Sequence, residues 1–491
     1  MFAEIKKTFK QTAIYSLGNI STKLVGFVLL PLYTDHLLPA EYGILNILQI
    51  ILQILIGVLG FNLPTAMMRW YASEDDAKKK NSIIFSVFLS TTVIAFLLSF
   101  LLIPFSENFS IQIFSTDQFS IYFFYMFLAA SAGIISNVPL NVIRLKEMPT
   151  FYVILTTLKF TVIVLLNIYF VAYAKMGVEG IMISELVGSL LVVVFSMPVV
   201  IKGSNFSLDF KILREMFFYG FPLVFSTTFS FLLTLGDRFI IEYFYDLSSV
   251  GIYSMGNKVA SVMNMLILQS FQLGFLPLAY KKLGTPNDKR YFSKVLTYYT
   301  TVLAFAALGI SMFGKEIIEM FAQNEEYWVS AVVVPIIAFA FVIKGIQYNF
   351  SLSFHYAKKT VYVTAIIIVT AFFNILLNFV LVPRIGFIGA AYSLLFSFIL
   401  MMFLSYYFGQ KIYRIPFELV KISKIVTIAL VLYFLSLLVP NYGELINIPV
   451  QLLLLLLFPI ILYKSSIFEE IEILSLKRGA RDLLALIKGK R

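Results

Sequence analysis

The sequence contains no cysteine and two histidines, and these shortages exclude several kinds of chemistry. Without cysteine, the chain has no disulfide, no thiolate metal ligand and no cysteine nucleophile. His36 and His355 are far apart in the chain, so a histidine metal cluster is not expected. We therefore expect neither a metal nor a cofactor in this protein.

Charged residues are also scarce, since they make up 13% of the chain while hydrophobic residues make up 60%. The mean hydropathy is +0.89. Soluble domains are about half apolar and about a quarter charged, so this composition excludes a water-soluble globule. Apolar runs of about twenty residues recur from end to end, which predicts an all-α polytopic membrane protein.

Fourteen apolar stretches are long enough to cross a bilayer. The predicted spans cover residues 12–34, 42–68, 82–104, 119–143, 150–172, 178–201, 215–241, 250–279, 292–313, 327–350, 361–382, 386–408, 420–439 and 446–463. With the N-terminus inside, 30 of the 38 lysines and arginines fall in cytoplasmic segments. This bias predicts a multi-pass protein with both termini cytoplasmic, and it accounts for the net charge of +11 without a nucleic-acid partner.

The predicted external loops are short, and the longest cover about 105–118 and 314–326. An integral membrane enzyme, such as a polysaccharide polymerase or ligase, typically places its catalytic residues in a large external loop, so we do not expect an enzyme. The sequence has no nucleotide-binding loop, so turnover would depend on an ion gradient or the membrane potential.

The sequence of residues 465–491 predicts an amphipathic cytoplasmic helix that lies on the membrane or binds a partner.

The chain contains an internal repeat whose matched motifs are separated by 206–213 residues. The motif AEYGI at Ala40–Ile44 corresponds to SSVGI at Ser248–Ile252, and each begins the second span of its half. The other matched pairs are Leu63–Ala66 with Leu276–Ala279, Asn167 with Asn378, Gly177 with Gly386, and Gly180 with Gly389. We therefore predict two homologous six-helix lobes around a central cavity.

The predicted divisions are an N-lobe at 1–205, a C-lobe at 206–410, two extra helices at 411–464 and a tail at 465–491. Each lobe has an even number of spans, so the two lobes share one orientation in the membrane. Transporters built from such parallel repeats hold their substrate between the halves and alternate access by rocking.

Three features carry a resemblance to a known family. They are the pattern K…PLYT…YGI at Lys23–Ile44, the GDRFII motif at Gly236–Ile241, and the asparagine and paired glycines of each half. The chain resembles, over nearly its whole length, the polysaccharide transporter (Wzx-type) flippases. These belong to the superfamily that includes multidrug and toxic-compound extruders and lipid II flippases. The resemblance implies a polyprenyl-linked oligosaccharide substrate in a bacterial or archaeal cell membrane. The chain departs from many relatives in having Asp35-His36 where they carry a basic residue.

Five charged residues lie well inside the predicted spans and leave the membrane interior with a charge of +3: Lys23, Lys159, Lys258, Lys344 and Glu185. Lysine is a strong point charge for phosphate. We therefore expect a water-filled cationic cavity that binds the pyrophosphate of a polyprenyl-linked oligosaccharide while the lipid tail stays in the bilayer. Each lysine has a simpler alternative, which is to pair with an acid or to reach the membrane surface.

The acidic residues leave more than one interpretation open. Glu185 is a coupling-ion site for H⁺ or Na⁺, a partner for a lysine, or a structural acid. Asp237 and Arg238 end the seventh predicted span, either as a local ion pair or with a role in gating. An ion-coupled antiporter of drugs or cations predicts that loss of Glu185 abolishes function. A scaffold of the polysaccharide machinery without transport would leave the intramembrane lysines unexplained. The polysaccharide polymerase machinery is a further expected partner.

Overall fold

The computed structural model describes residues 27–202, 207–357, 359, 361–439, 443–465 and 467. These residues are almost wholly helical and contain no β-strand. Twelve helices in this described part of the chain are long and apolar enough to cross a membrane. Lys23 lies outside the described residues, and so does the predicted tail apart from 465 and 467.

The helices follow one another with short connections. In the first half they are α1 (Leu30–His36), α2 (Pro39–Leu59), α3 (Leu63–Ser73), α4 (Ala77–Leu102), α5 (Ser106–Phe114), α6 (Ser120–Leu145), α7 (Pro149–Asn167) and α8 (Gly177–Lys202). The remainder are α9 (Phe210–Leu235), α10 (Asp237–Phe244), α11 (Leu247–Met263), α12 (Ser270–Lys282), α13 (Asp288–Met312), α14 (Gly314–Phe321), α15 (Val334–Tyr356), α16 (Val361–Ile385), α17 (Phe387–Ile412), α18 (Leu419–Leu437) and α19 (Glu444–Lys464).

Thirteen of the fourteen predicted spans correspond to described helices, and the first, 12–34, lies mostly outside the described residues. The predicted all-α fold class is confirmed. The eighth predicted span is the long helix formed by α11, the π-helical turn Asn264–Gln269 and α12. It is not among the twelve apolar helices found in the described residues. The two longest predicted loops each contain a short helix, α5 and α14.

Prolines and acidic caps set the beginnings of many helices. Pro39 and Pro149 occupy first-turn positions, where the missing N–H would have no partner within the helix. The carboxylates of Asp76, Asp209 and Asp246 accept backbone N–H groups of α4, α9 and α11 at 2.8, 3.0 and 2.7 Å. Such caps satisfy donors that are otherwise left free at a helix start.

The two halves repeat one packing pattern. In the first half α6 packs on α4 and α8, and α8 packs on α7. In the second half α15 packs on α13 and α17, and α17 packs on α16. The two extra helices extend the second half, because α18 packs on α13 and α19 packs on α18. The lobe boundaries at 205 and 410 stay predictions.

Matched residues of the repeat have matched environments. Asn167 and Asn378 are fully buried, and each donates to a carbonyl one turn earlier in its helix, at 2.7 and 2.9 Å. A Cβ on Gly180 would lie 2.4 Å from the Cβ of Phe170, and one on Gly389 would lie 2.6 Å from a backbone carbon of the preceding helix. Glycine at these positions therefore allows the last two helices of each half to pack closely.

Candidate functional site between the two halves

The closest contact between the halves is the crossing of α2 and α11, where the two matched glycines face each other. A Cβ on Gly43 would lie 2.0 Å from the Leu247 carbonyl oxygen, and one on Gly251 would lie 1.9 Å from the Pro39 carbonyl oxygen. Membrane helices approach this closely only where the interface consists of small residues. The repeated motif therefore forms the contact that joins the two halves at one end.

Buried hydroxyl groups close the same end of the bundle. Tyr33 donates to Asn167 Oδ1 at 3.0 Å within the first half. The Thr34 hydroxyl donates to the Phe321 carbonyl at 2.8 Å, and the Tyr327 hydroxyl donates to the Leu37 carbonyl at 3.0 Å. These last two bonds connect residues that are nearly 300 positions apart in the chain. The end opposite the basic loops is thus sealed by hydrogen bonds between the halves.

Asp237 and Arg238 form a buried ion pair beside this crossing. Their side chains are 3% and 5% exposed, and Arg238 Nη1 lies 2.6 Å from Asp237 Oδ1. The hydroxyl of Tyr253, on α11, donates to the other Asp237 oxygen, and the guanidinium lies 4.9 Å from the centre of the Tyr253 ring. Arg238 also donates to the Thr234 carbonyl at 3.1 Å. The pair is therefore satisfied locally and anchors α10 to α11.

The halves also touch on one flank toward the basic end. A Cβ on Gly220 of α9 would lie 2.2 Å from the Phe61 carbonyl oxygen. The Arg69 guanidinium lies 4.7 Å from the centre of the Tyr219 ring, and the Trp70 ring contacts the same tyrosine edge-on at 5.4 Å. On this flank α9 therefore packs along α2 and α3 of the first half.

Lys258 lies on α11, seven residues after the glycine crossing and thus about 10 Å along the helix toward the basic end. It lines a cavity of about 160 Å³ together with three apolar and three polar residues, which are Phe27, Val262, Met265, Ser261, Asn264 and Gln269. No carboxylate among the described residues lies within 4 Å of its ammonium group. The described lining of this cavity therefore contains one ammonium group and no carboxylate.

Lys159 is in a different setting, because it pairs with Glu185. Its Nζ lies 3.1 Å from Glu185 Oε1 and 3.1 Å from the Ser189 hydroxyl, and the two charged side chains are 21% and 34% exposed. This contact joins α7 to α8 within the first half. Of the three alternatives for Glu185, pairing with a lysine is the one whose contact is present in the structure.

Lys344 lies inside the second half, on α15. Its Nζ is 5.2 Å from the centre of the Phe398 ring and 5.8 Å from the centre of the Phe341 ring, which is cation–π geometry. The polar residues close to Lys344 in the sequence form hydrogen bonds within the second half. Gln347 donates to Ser405 at 2.9 Å, and Asn349 donates to the Gly345 carbonyl at 3.2 Å. Lys344 is not among the residues that line the cavity of Lys258.

The predicted charged residues are therefore divided among four settings. The structure brings together Lys159 with Glu185 and Asp237 with Arg238, and it places Lys258 and Lys344 apart from both pairs. The roles of all six, and of Lys23, stay predictions. Sequence reasoning missed the contact between Gly43 and Gly251, although their matched positions in the repeat were the available signal.

A model of the family described as polysaccharide biosynthesis protein matches residues 8–281, more than half of the chain. The chain belongs to this family. The Staphylococcus aureus capsular polysaccharide biosynthesis protein CapF is 24% identical to it over 205 residues, which cover 41% of the chain and 51% of CapF. The family predicted by resemblance is confirmed.

Solved structures share the fold. The lipid II flippase MurJ, in an inward closed conformation, superposes with a TM-score of 0.73 at 16% identity and covers 95% of this chain and 100% of its own. A multidrug resistance MATE family transporter in an inward-facing conformation gives 0.65 at 12% identity, covering 84% and 96%. At these identities the likeness establishes the fold alone.

Proposed function

We propose that this protein is a flippase that moves polyprenyl-pyrophosphate-linked oligosaccharides from the cytoplasmic to the outer leaflet for surface polysaccharide biosynthesis. One observation carries the proposal. Lys258 lines a cavity at the interface of the halves together with three polar and three apolar side chains, without a described carboxylate in ion-pair distance. An intramembrane lysine in such a place is costly unless it has a partner, and a pyrophosphate would supply the missing negative charge.

The similarity to known proteins supports the same function. The family description and the capsular relative both concern polysaccharide biosynthesis. The lipid II flippase shares the fold over 95% of the chain, and a lipid-linked sugar is the substrate class that the sequence resemblance implies. Membrane lipids surround the protein, and the polysaccharide polymerase machinery is a further partner that we expect.

The size of the cavity indicates how the cycle would proceed. Its volume of about 160 Å³ is below the roughly 300–1,000 Å³ of sites that hold drug-sized ligands. An oligosaccharide would therefore enter only after the halves separate at the basic end. We infer that this end faces the cytoplasm, that both termini lie there, and that transport without catalysis follows by alternating access.

The Lys258→Gln variant tests the proposal. A charge-assisted hydrogen bond contributes about 1.5–3 kcal/mol, so we expect at least a roughly tenfold loss of transport, with partial rescue in Lys258→Arg. The measurement is the amount of polyprenyl-pyrophosphate oligosaccharide in each leaflet of a deletion strain that expresses each variant at equal level. A complete repeat unit should accumulate on the cytoplasmic side with Lys258→Gln. Normal leaflet distribution with well-expressed Lys258→Gln would contradict the cationic cavity.

An ion-coupled multidrug or cation antiporter is the second candidate, because a multidrug transporter shares the fold. That function needs a carboxylate free to bind H⁺ or Na⁺ or a cation. The Glu185 carboxylate lies 3.1 Å from the Lys159 ammonium group, which opposes such binding. Normal lipid-linked intermediates with altered sensitivity to cationic drugs in the deletion strain would favour the antiporter.

A further inference from the structure

Two cavities adjoin at the basic end of the second half, away from the crossing of α2 and α11. One, of about 340 Å³, lies between α15, α17 and α18, and its lining includes Ile346, Phe403 and Ile422. The other, of about 370 Å³, lies at the end of α17 and is lined by Tyr406, Tyr407, Gln410, Lys411 and Arg414. Tyr406 lines both, so the apolar groove and the cationic pocket meet at this side chain.

The cationic pocket keeps its positive charge. Lys411 and Arg414 are exposed, and the Lys411 ammonium group lies 2.7 Å from the Tyr407 hydroxyl and 4.1 Å from the centre of its ring. The acid nearest in sequence, Glu418, contacts two other lysines, with Lys421 Nζ at 2.9 Å and Lys294 Nζ at 3.1 Å. The Glu418 carboxylate is therefore already compensated.

We propose that these two cavities form one binding site for an anionic glycerophospholipid. Its phosphate binds between Lys411 and Arg414, and one acyl chain lies along the groove past Phe403 and Ile422. The pocket lies at the end of the bundle where most basic residues lie, which the charge bias predicts to be the cytoplasmic leaflet, and that leaflet is rich in anionic lipid. Charge complementarity and the apolar continuation favour a whole phospholipid over a free phosphate.

This site is separate from the cavity of Lys258. It is built entirely from α15, α17, α18 and the residues between the last two, whereas the Lys258 cavity lies at the interface of the halves. The proposal therefore does not depend on the flippase function. A bound lipid here would hold α18 against the second half, because its chain fills the space between α17 and α18.

The test uses native mass spectrometry of the full chain, purified in detergent and delipidated. Dioleoyl phosphatidylglycerol and dioleoyl phosphatidylcholine are added in turn, so that only the headgroup differs. We expect phosphatidylglycerol to bind more tightly, and the Lys411→Gln/Arg414→Gln variant to bind it about a hundredfold more weakly, because two charge-assisted hydrogen bonds are lost. The matched control is Lys78→Gln/Lys79→Gln, which removes the same charge from two exposed lysines of the first half and should bind like the unchanged protein.

A second pair of variants tests the groove. Ser423→Trp places a large side chain in the lining and should weaken phosphatidylglycerol binding several-fold, whereas Ser423→Ala should not. Equal binding of both lipids, or unchanged binding in the Lys411→Gln/Arg414→Gln variant, would overturn the proposal. Displacement of phosphatidylglycerol from this site by a polyprenyl pyrophosphate at lower concentration would also overturn it, since the site would then belong to the lipid-linked substrate.

Discussion

At the scale of single residues, the three described intramembrane lysines differ in their partners rather than in their sequence context. Lys159 has a carboxylate, Lys344 has two aromatic faces, and Lys258 lines a cavity. The sequence identified all three as costly charges that need a partner. It did not identify the partners, because those lie on other helices and depend on how the helices are rotated against each other.

The pair of Lys159 and Glu185 leads to a stability prediction. Breaking a buried pair costs about 3–5 kcal/mol and an exposed pair about 0–1, so for this partly buried pair we expect about 1–3 kcal/mol. Glu185→Gln and Lys159→Gln should each lower the thermal midpoint of the purified protein. The double variant Lys159→Met/Glu185→Met should recover most of the loss, because no charge is left without its partner.

A matched control is the ion pair of Lys315 and Glu319 on α14, whose lysine is 62% exposed. Glu319→Gln should change the midpoint little. If Glu185→Gln instead abolished transport at an unchanged midpoint, and the double variant did not restore it, Glu185 would act in ion coupling and the structural role would be wrong.

At the scale of helices, the crossing of α2 and α11 is the contact on which the closed end depends. The motifs AEYGI and SSVGI predicted that the two helices are equivalent, and the structure adds that their glycines meet. The positions of the helices and the match between the two repeated motifs could be predicted, because both follow from local sequence patterns. The hydrogen bonds from Thr34 to Phe321 and from Tyr327 to Leu37 were not, because no local pattern links residues so distant in the chain.

A single methyl group at this crossing should disturb the closed end. Gly43→Ala and Gly251→Ala each place a Cβ about 2 Å from a backbone oxygen that cannot move without its helix, and overpacking of this kind costs about 1–3 kcal/mol. We expect both variants to lower the thermal midpoint and to reduce export of surface polysaccharide. Gly274→Ala on α12, where a Cβ meets nothing within 4 Å, should leave both quantities unchanged. Equal behaviour of the three variants would mean that the crossing is not a close contact.

At the scale of the whole molecule, composition and the placement of apolar runs predicted the membrane class and the positions of the long described helices along the chain. Apolar length and loop charge are properties of each segment by itself, so they survive folding unchanged. Which end of the molecule is closed is not a property of any single segment, because it depends on contacts between the two halves. An alternating-access cycle requires that the same sequence also allows those contacts to break.

Cross-linking the closed end tests whether this contact breaks during transport. Ala40 and Ser248 occupy matched positions one turn from the glycine crossing, and the chain has no native cysteine to interfere. In the Ala40→Cys/Ser248→Cys variant, a short cleavable bifunctional thiol reagent should stop export, and reduction should restore it, because the halves cannot separate while linked. The matched control is Ser99→Cys/Ser131→Cys, whose hydroxyls lie 2.7 Å apart within the first half, and linking them should leave export intact. Export that continues at its normal rate with the first pair fully linked would mean that this end does not open during the cycle, and transport would then have to proceed without rocking of the two halves.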